Sequence, residues 1–284
     1  MRITLGMIVL NGEPFIEHSL RAMYDFVDEI IVVEGAVEKA MFAAQPDGSS
    51  TDRTVEIVRS LPDPDDKITL VQGRWKGKLE QSQEYMQRAT GDYVWIVDCD
   101  EMYLPNDVGH VVEMLEQDPE ITAVSFYERA FWHNFHTQLV GPPWEGVREA
   151  VFYRIFKRVP GARFTTHRPP TVVGEDGISL AEKKLVRANE MRRRGIFLFH
   201  YSYVDSGQVR QKIAYCRNRN STNAGPPDWF ERVYEAWPND PAGVENEHGT
   251  HPIGTGWTMP YYGPHPPVMY DHPLMKRELV AGST

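Results

Sequence analysis

The sequence predicts an α/β fold with a mostly parallel sheet, and three observations carry that prediction. Apolar strand runs alternate with helical runs through the first hundred residues. Turn and cap signals bound each run. A chain of 284 residues with 41% hydrophobic content can bury a core without a metal or disulfide to hold it. Residues 3–10 form a buried-strand run that ends at Asn11-Gly12. Pro14 suits the first turn of a helix in which Phe15, Ile16, Leu20 and Met23 recur at helical spacing. Residues 28–34 (DEIIVVE) read as a second strand. Residues 51–61 read as a helix capped near Ser50–Asp52 and stopped by Pro62. A third strand at 68–72, a helix at 78–89 and a fourth strand at 92–97 (DYVWIV) complete the alternation. Strands separated by helices need crossover connections, so the sheet is parallel and covered on both faces, a Rossmann-like half.

Beyond Pro105 the pattern becomes mixed. Residues 106–117 read as a helix, 122–127 and 150–157 as aromatic-rich strands, 196–203 (IFLFHYSY) as a strand and 208–216 as a helix. The last sixty residues hold ten of the 21 prolines, three of the seven tryptophans and four of the ten histidines. Disordered tails are poor in aromatics, so this one reads as ordered but irregular. The expected organisation is a Rossmann-like half at 1–105, a mixed half at 106–224 and a C-terminal wrap or lid at 225–284.

Composition excludes several functions. The formal charge of −10 disfavours sequence-independent nucleic-acid binding, which needs a basic field. No apolar run reaches ~18 residues, and the opening stretch is short and lacks a basic flank, so neither a membrane span nor a signal peptide is expected. Cys99 and Cys216 make at most one bridge, which fits a reducing, cytoplasmic setting. The chain contains no phosphate-binding glycine loop of the Walker or dinucleotide type.

The chemistry is concentrated at Asp98-Cys99-Asp100-Glu101, directly after the fourth strand. Ligands of open α/β sheets bind outside the carboxyl ends of the strands. Carboxylates there either cap the next helix or hold a hard divalent cation that bridges phosphates. Asp98 and Asp100 fall on one side of an extended chain. Downstream, His200-Tyr201-Ser202-Tyr203 ends another strand and is followed by Lys212 and Tyr215. His200, after four apolar residues, reads on its own as a packed core histidine.

Together these motifs resemble glycosyltransferase family 2. The resemblance rests on Asn11-Gly12-Glu13 after the first strand, Glu34 ending the second, Asp47-Gly48-Ser49-Ser50-Thr51-Asp52-Arg53-Thr54, Gly91-Asp92, and the strand leading into Asp98-Cys99-Asp100-Glu101. It covers roughly residues 1–215 and implies a GT-A fold that moves a sugar from a nucleotide-diphosphate donor, UDP- or GDP-linked, to a glycan or lipid-linked glycan acceptor, with inversion. It also implies that the half at 1–105 binds the nucleotide-sugar and the half at 106–224 the acceptor. The family's second motif usually runs on unbroken from its strand; here residues 36–46 intervene between Glu34-Gly35 and Asp47-Gly48. Glu34 then takes the position of the family's base-contacting aspartate. The resemblance further implies Mn²⁺ or Mg²⁺ held by Asp98, Asp100 and His200, a set of oxygen and imidazole donors that suits either ion. Asn11, Glu13, Glu34, Lys78 and Asp98 would meet the nucleotide; for Lys78 a solvated surface position is the alternative. Family members with this acidic motif often carry a His-Glu pair in the second half. This chain has His167-Arg168 there, which leaves His167, Glu175 and Asp176 as candidates for the general base.

Other features admit plainer readings. His133-x-x-His136 and His248-x-x-His251 have zinc-like spacing without accompanying cysteines. Arg192-Arg193-Arg194 reads as a solvated turn or a peripheral contact with an anionic membrane. Tyr261-Tyr262-Gly263-Pro264-His265 offers aromatic faces for a sugar or simply packs. The rival enzyme class is a nucleotidyltransferase, which wants a basic glycine-rich loop where Asn11-Gly12-Glu13-Pro14 stands. The rival non-enzyme is a sugar-binding descendant of a transferase.

Overall fold

The computed structural model describes residues 1–140, 152–218, 227–241 and 257–281. Its first part follows the expected alternation: β1 (Ile3–Val9), α1 (Ile16–Met23), β2 (Glu29–Glu34), α2 (Thr54–Ser60), β3 (Ile68–Gln72), α3 (Lys78–Arg88) and β4 (Tyr93–Ile96). β1 pairs in parallel with both β2 and β4, and β2 with β3. Ile30, Ile31, Val32 and Val33 of β2 are all buried, as a strand covered on both faces requires. One face meets α1 through Leu5, Met7, Ile16 and Leu20. The other meets α3 through Ile31, Val94, Tyr85 and Met86. Gly6 lets α3 approach closely, because a Cβ there would lie 2.4 Å from the Tyr85 ring.

The second part continues through β5 (Glu101–Met102), α4 (Pro105–Gln117), β6 (Ala123–Phe126), β7 (Glu128–Trp132), β8 (Thr137–Leu139), β9 (Phe152–Lys157), β10 (Arg163–His167) and β11 (Pro170–Val173). It closes with α5 (Leu180–Lys183), β12 (Leu185–Val186), α6 (Ala188–Arg193), β13 (Leu198–Tyr203), α7 (Ser206–Asn218), β14 (Thr258–Pro260) and α8 (Pro273–Ala281). The main sheet has seven strands in the order β12-β6-β9-β4-β1-β2-β3. β9 is antiparallel to both its neighbours, β4 and β6, which makes the sheet mixed. A second, five-stranded sheet runs β14-β8-β7-β13-β5. This is the predicted α/β architecture, a run of parallel strands joined to a mixed half.

Two short connections carry the chain directly from the main sheet into the second. The chain leaves β4 through Asp98-Cys99-Asp100 and enters β5, and it leaves β6 at Phe126 and enters β7 at Glu128. The acidic motif therefore sits on the seam between the sheets. Ser19 on α1 fixes it there, its hydroxyl donating to the carbonyl oxygens of Asp98 (3.3 Å) and Glu101 (2.9 Å).

Two expectations are corrected. Arg192 and Arg193 form the last turn of α6 rather than a free turn, where cations favour the carboxyl end of the helix dipole; Arg194 follows, paired with Glu190. The described part of the C-terminal segment is core: Trp229, Phe230, Val233, Tyr234, Trp237 and Trp257 cluster with Trp132 and Tyr203. Tyr261, Met269 and Met275 cluster with Phe131 and Tyr201. No helix among the described residues is long and apolar enough to cross a membrane.

Candidate active site

A cavity of about 520 Å³ opens at the carboxyl ends of β1 and β4 and along the seam between the sheets. Its wall includes Asn11, Lys78, Asp98, Asp100, His167, His200 and Lys212. Asp98 and Asp100 come from the turn after β4. His200 comes from β13, in register with Glu101 on β5 and Ala130 on β7. His200 and Ser202 face the cavity, while Phe199 and Tyr201 turn to the aromatic cluster behind, the alternation expected of a strand. His167 arrives at the tip of the β10–β11 hairpin with Arg168 and Pro169.

The site is built from buried, opposed charges. His200 lies between two carboxylates: its Nδ1 hydrogen-bonds Glu128, and its Nε2 is 3.5 Å from Asp100 Oδ2. Burial alone would lower its pKa, but Glu128 and Asp100 hold it well above the ordinary histidine value. Burial likewise opposes ionisation of Asp100, yet His200 brings its carboxyl down to about 2. Gln208 donates from Nε2 to Asp100 Oδ2 at 2.7 Å, and its Oε1 is buried without a partner. Arg154 on β9 grips Glu101 with Nε at 2.8 Å and with Nη2, which also lies 3.6 Å from Asp98. Burial pushes the Asp98 carboxyl up, but Arg154, joined by Lys78, brings it below its ordinary value against the pull of Asp100. His167 is held at about 3, first by burial and then by the cationic Lys78, against an upward pull from Asp98. It is therefore neutral at physiological pH.

The donor set suits a hard or borderline divalent cation: two carboxylates, one imidazole and a buried amide oxygen beside them. The Glu128 contact to the far nitrogen of His200 has the form that orients a metal-binding imidazole. Among the described residues, no group of three or more His, Cys, Asp or Glu side chains is assembled to hold an ion by itself. An ion bound here would need oxygens from a substrate to complete its shell.

Four predicted residues lie outside the cavity wall. Glu34 is fully buried; its Oε1 accepts from the Ser50 amide (2.7 Å) and hydroxyl (2.8 Å), and its Oε2 from Gln72 Nε2 (3.0 Å). Glu13 clamps Arg53, accepting from its backbone amide at 2.9 Å and its guanidinium at 2.7 Å. Both carboxylates fasten the segment that follows residues 36–46 to the strand ends. Asp176 is exposed and paired with Lys183 at 2.6 Å, and Glu175 stands beside Gly161. Asn11 does line the cavity, but its amide is committed: Nδ2 donates to the Ala43 carbonyl at 2.7 Å, and Oδ1 accepts from the Thr51 amide at 2.7 Å.

Three groups that sequence reasoning did not single out belong to the site. Glu128 and Arg154 stand on strands that pair only in the folded sheets, so spacing carries no sign of them. Gln208 opens the predicted helix and looked like an ordinary polar residue. Of the zinc-like pairs, His133 stacks on Tyr234 and Trp237 with ring centroids 4.0 and 5.3 Å away, while His136 reaches toward Glu278. They do not converge. His248-x-x-His251 lies outside the described residues. Tyr261 is buried in the aromatic cluster, whereas Tyr262 is exposed.

Residues 46–170 match the family described as glycosyl transferase family 2. This segment carries the Asp47–Thr54 motif, the acidic motif after β4 and the hairpin that bears His167. No curated protein matches the chain. Among solved structures, Staphylococcus aureus TarS 1-349 is 13% identical and aligns over 84% of this chain and 77% of its own, with a TM-score of 0.44. The mannosyltransferase PcManGT of Pyrobaculum calidifontis, in complex with GDP-Man and Mn²⁺, is 25% identical over 55% of this chain and 44% of that one, with a TM-score of 0.38. Glucosyl-3-phosphoglycerate synthase of Mycobacterium tuberculosis, with Mn²⁺, UDP and phosphoglyceric acid, is 22% identical over 45% and 43%, with a TM-score of 0.35. The chain spans 24% of the longer TarS structure and less than half of the latter two proteins.

Proposed function

Starting from the glycosyl transferase family 2 character of residues 46–170, we propose that this protein transfers a sugar from a nucleoside-diphosphate donor to an acceptor hydroxyl, with inversion and with a divalent cation. The observation that carries the proposal is the convergence of Asp98, Asp100, His200, Lys78 and His167 on one cavity of about 520 Å³. Asp98, Asp100 and His200 would hold Mn²⁺ or Mg²⁺, and the bound ion would neutralise charge on the departing diphosphate. Glu128 fixes the ring plane of His200, and Gln208 fixes one oxygen of Asp100. Arg154 keeps Asp98 ionised and in place.

Lys78, whose ammonium lies 5.2 Å from the centre of the Tyr215 ring, stands where it can bind the diphosphate. His167 is the candidate general base, being neutral and on the cavity wall. A group at about 3 is a weak base. The cations beside it, Lys78 and Arg168, are the groups a diphosphate would neutralise, so donor binding raises its basicity at the stage when a base is required. Glu175 and Asp176 have no geometric support for that role, nor have Glu13 and Glu34 for contacting the nucleotide.

The test is hydrolysis and transfer with a panel of UDP- and GDP-sugars, with and without Mn²⁺, together with nucleotide binding. Asp100→Ala is expected to abolish metal-dependent binding of UDP or GDP. If neither nucleotide binds in a metal-dependent way, or Asp100→Ala behaves as wild type, the transferase reading fails.

A further inference from the structure

The segment 36–46, which separates the second strand from the Asp47–Thr54 motif, is not a loose loop. Glu38–Ala43 forms a 3-10 helix. Ala36 donates to Gly48 O at 2.7 Å, Glu38 to Trp75 O at 2.9 Å, and Trp75 back to Ala36 O at 3.0 Å. Asn11 binds the Ala43 carbonyl, and Asn218 at the end of α7 binds that of Lys39. This braced segment contributes Val37, Ala40, Phe42 and Ala43 to the cavity wall. Phe42 is the exception among them, with 54% of its surface exposed. A large apolar ring held open to water at the mouth of a cavity, on a segment fastened at both ends, is arranged to meet something flat.

Position says what that is. The segment follows β2, and β1 lies between β2 and β4. Two strand spacings, about 10 Å, therefore separate it from the acidic turn after β4. If the diphosphate lies at Asp98 and Asp100, as the proposed function has it, the ribose and base extend toward the ends of β1 and β2. The polar groups there are already used: Glu34 by Ser50 and Gln72, Asn11 by Ala43 and Thr51. What remains facing the cavity is Leu10, Ala40, Ala43 and the Phe42 ring.

We infer that Phe42 is the stacking platform for the donor's nucleobase, and that the braced segment 36–46, not Glu34, holds the base. Every base has a π-face, so a stacking contact tolerates different bases. The inference rests on the donor site proposed above. It is tested on the full chain by titration with UDP, GDP and inorganic pyrophosphate in the presence of Mn²⁺. Phe42→Ala is expected to weaken UDP and GDP by about tenfold, toward the low end of base–aromatic stacking, and to leave pyrophosphate unchanged. Phe42→Trp is expected to retain nucleotide affinity and to show indole quenching on binding. Wild-type affinity for UDP and GDP in Phe42→Ala overturns the stacking role while leaving the transferase reading intact. Equal loss of pyrophosphate overturns it too, since the damage would then lie elsewhere in the site. Absence of nucleotide binding in the wild type overturns both readings.

Discussion

Arg154 shows how much of the site depends on single buried charges. Its side chain is 9% exposed and the Glu101 carboxylate beside it 1%, with Asp98 3.6 Å away. Removing the guanidinium would leave the Glu101 carboxylate buried without its counter-charge, and Asp98, 37% exposed at the cavity wall, without its cationic neighbour. Arg154→Met should therefore cost about 3–5 kcal/mol, the usual penalty for stripping one partner from a buried ion pair, read as a lower urea midpoint. A loss below about 1 kcal/mol would mean that water reaches the seam. His167 makes a second prediction at this scale. Burial lowers its pKa, and Lys78, Arg168 and Arg154 lower it further against Asp98. An NMR titration of the His167 ring should show its pKa rising when UDP and Mg²⁺ are added, as phosphate charge offsets the cations. A fall, or no movement in a nucleotide-saturated sample, would remove the electrostatic case for it as the base.

At the scale of elements, the local chemistry of the sequence located nearly every strand and helix of the first hundred residues. Residues 68–72 were expected as a strand and are β3 without change; DEIIVVE became β2 one residue shorter. β2 is legible because a strand covered on both faces must be continuously apolar, and a helix against it must be striped. The acidic turn was legible for a related reason, since three carboxylates directly after an apolar strand stand out at the end of the sheet where ligands bind. The second sheet was read less well. β7 (ERAFW) and β8 (TQL) show no clean alternation, because β7 is buried on both sides by tail residues distant in sequence. The partners of the site failed for the same reason. Glu128 lies 72 positions from His200 and Arg154 lies 53 from Glu101; the pairing of β7 with β13 joins the first pair, and the meeting of the two sheets along their seam joins the second. Glu34 was misread in the opposite sense: its strand-end position was right, but its carboxylate closes the insertion instead of facing a ligand.

At the scale of the whole molecule, the C-terminal segment is bound to the rest of the fold by histidines kept neutral. His265 bridges the Tyr201 hydroxyl (3.0 Å) and the Phe135 carbonyl (2.9 Å). His272 is completely buried, reaches the Pro14 carbonyl at 3.0 Å, stacks on Phe15 and meets His18 of α1 edge-on, with centroids 4.5 Å apart. Burial is the first cause of the lowered pKa in each, bringing His18 and His265 to about 4 and His272 below its ordinary value. His272, Arg21 and Lys276 add to the effect at His18, with Asp271 opposing. In the unfolded chain these rings titrate near 6.5. Between about pH 6.5 and 4 the unfolded state therefore binds more protons, and the linkage makes stability fall as pH falls. Their contribution is complete above that window and is lost progressively within it. The melting temperature should accordingly drop as pH is lowered from about 7 to 5. His18 separates this cause from general acid destabilisation, because its Nδ1 is buried without a hydrogen-bond partner, so a leucine there removes a titrating group at little polar cost. His18→Leu should flatten the dependence of melting temperature on pH relative to wild type, while the two proteins converge in stability or favour the variant at the acid end. Parallel curves for the two proteins would show that the protonation of His18 does not govern how firmly the C-terminal segment is held.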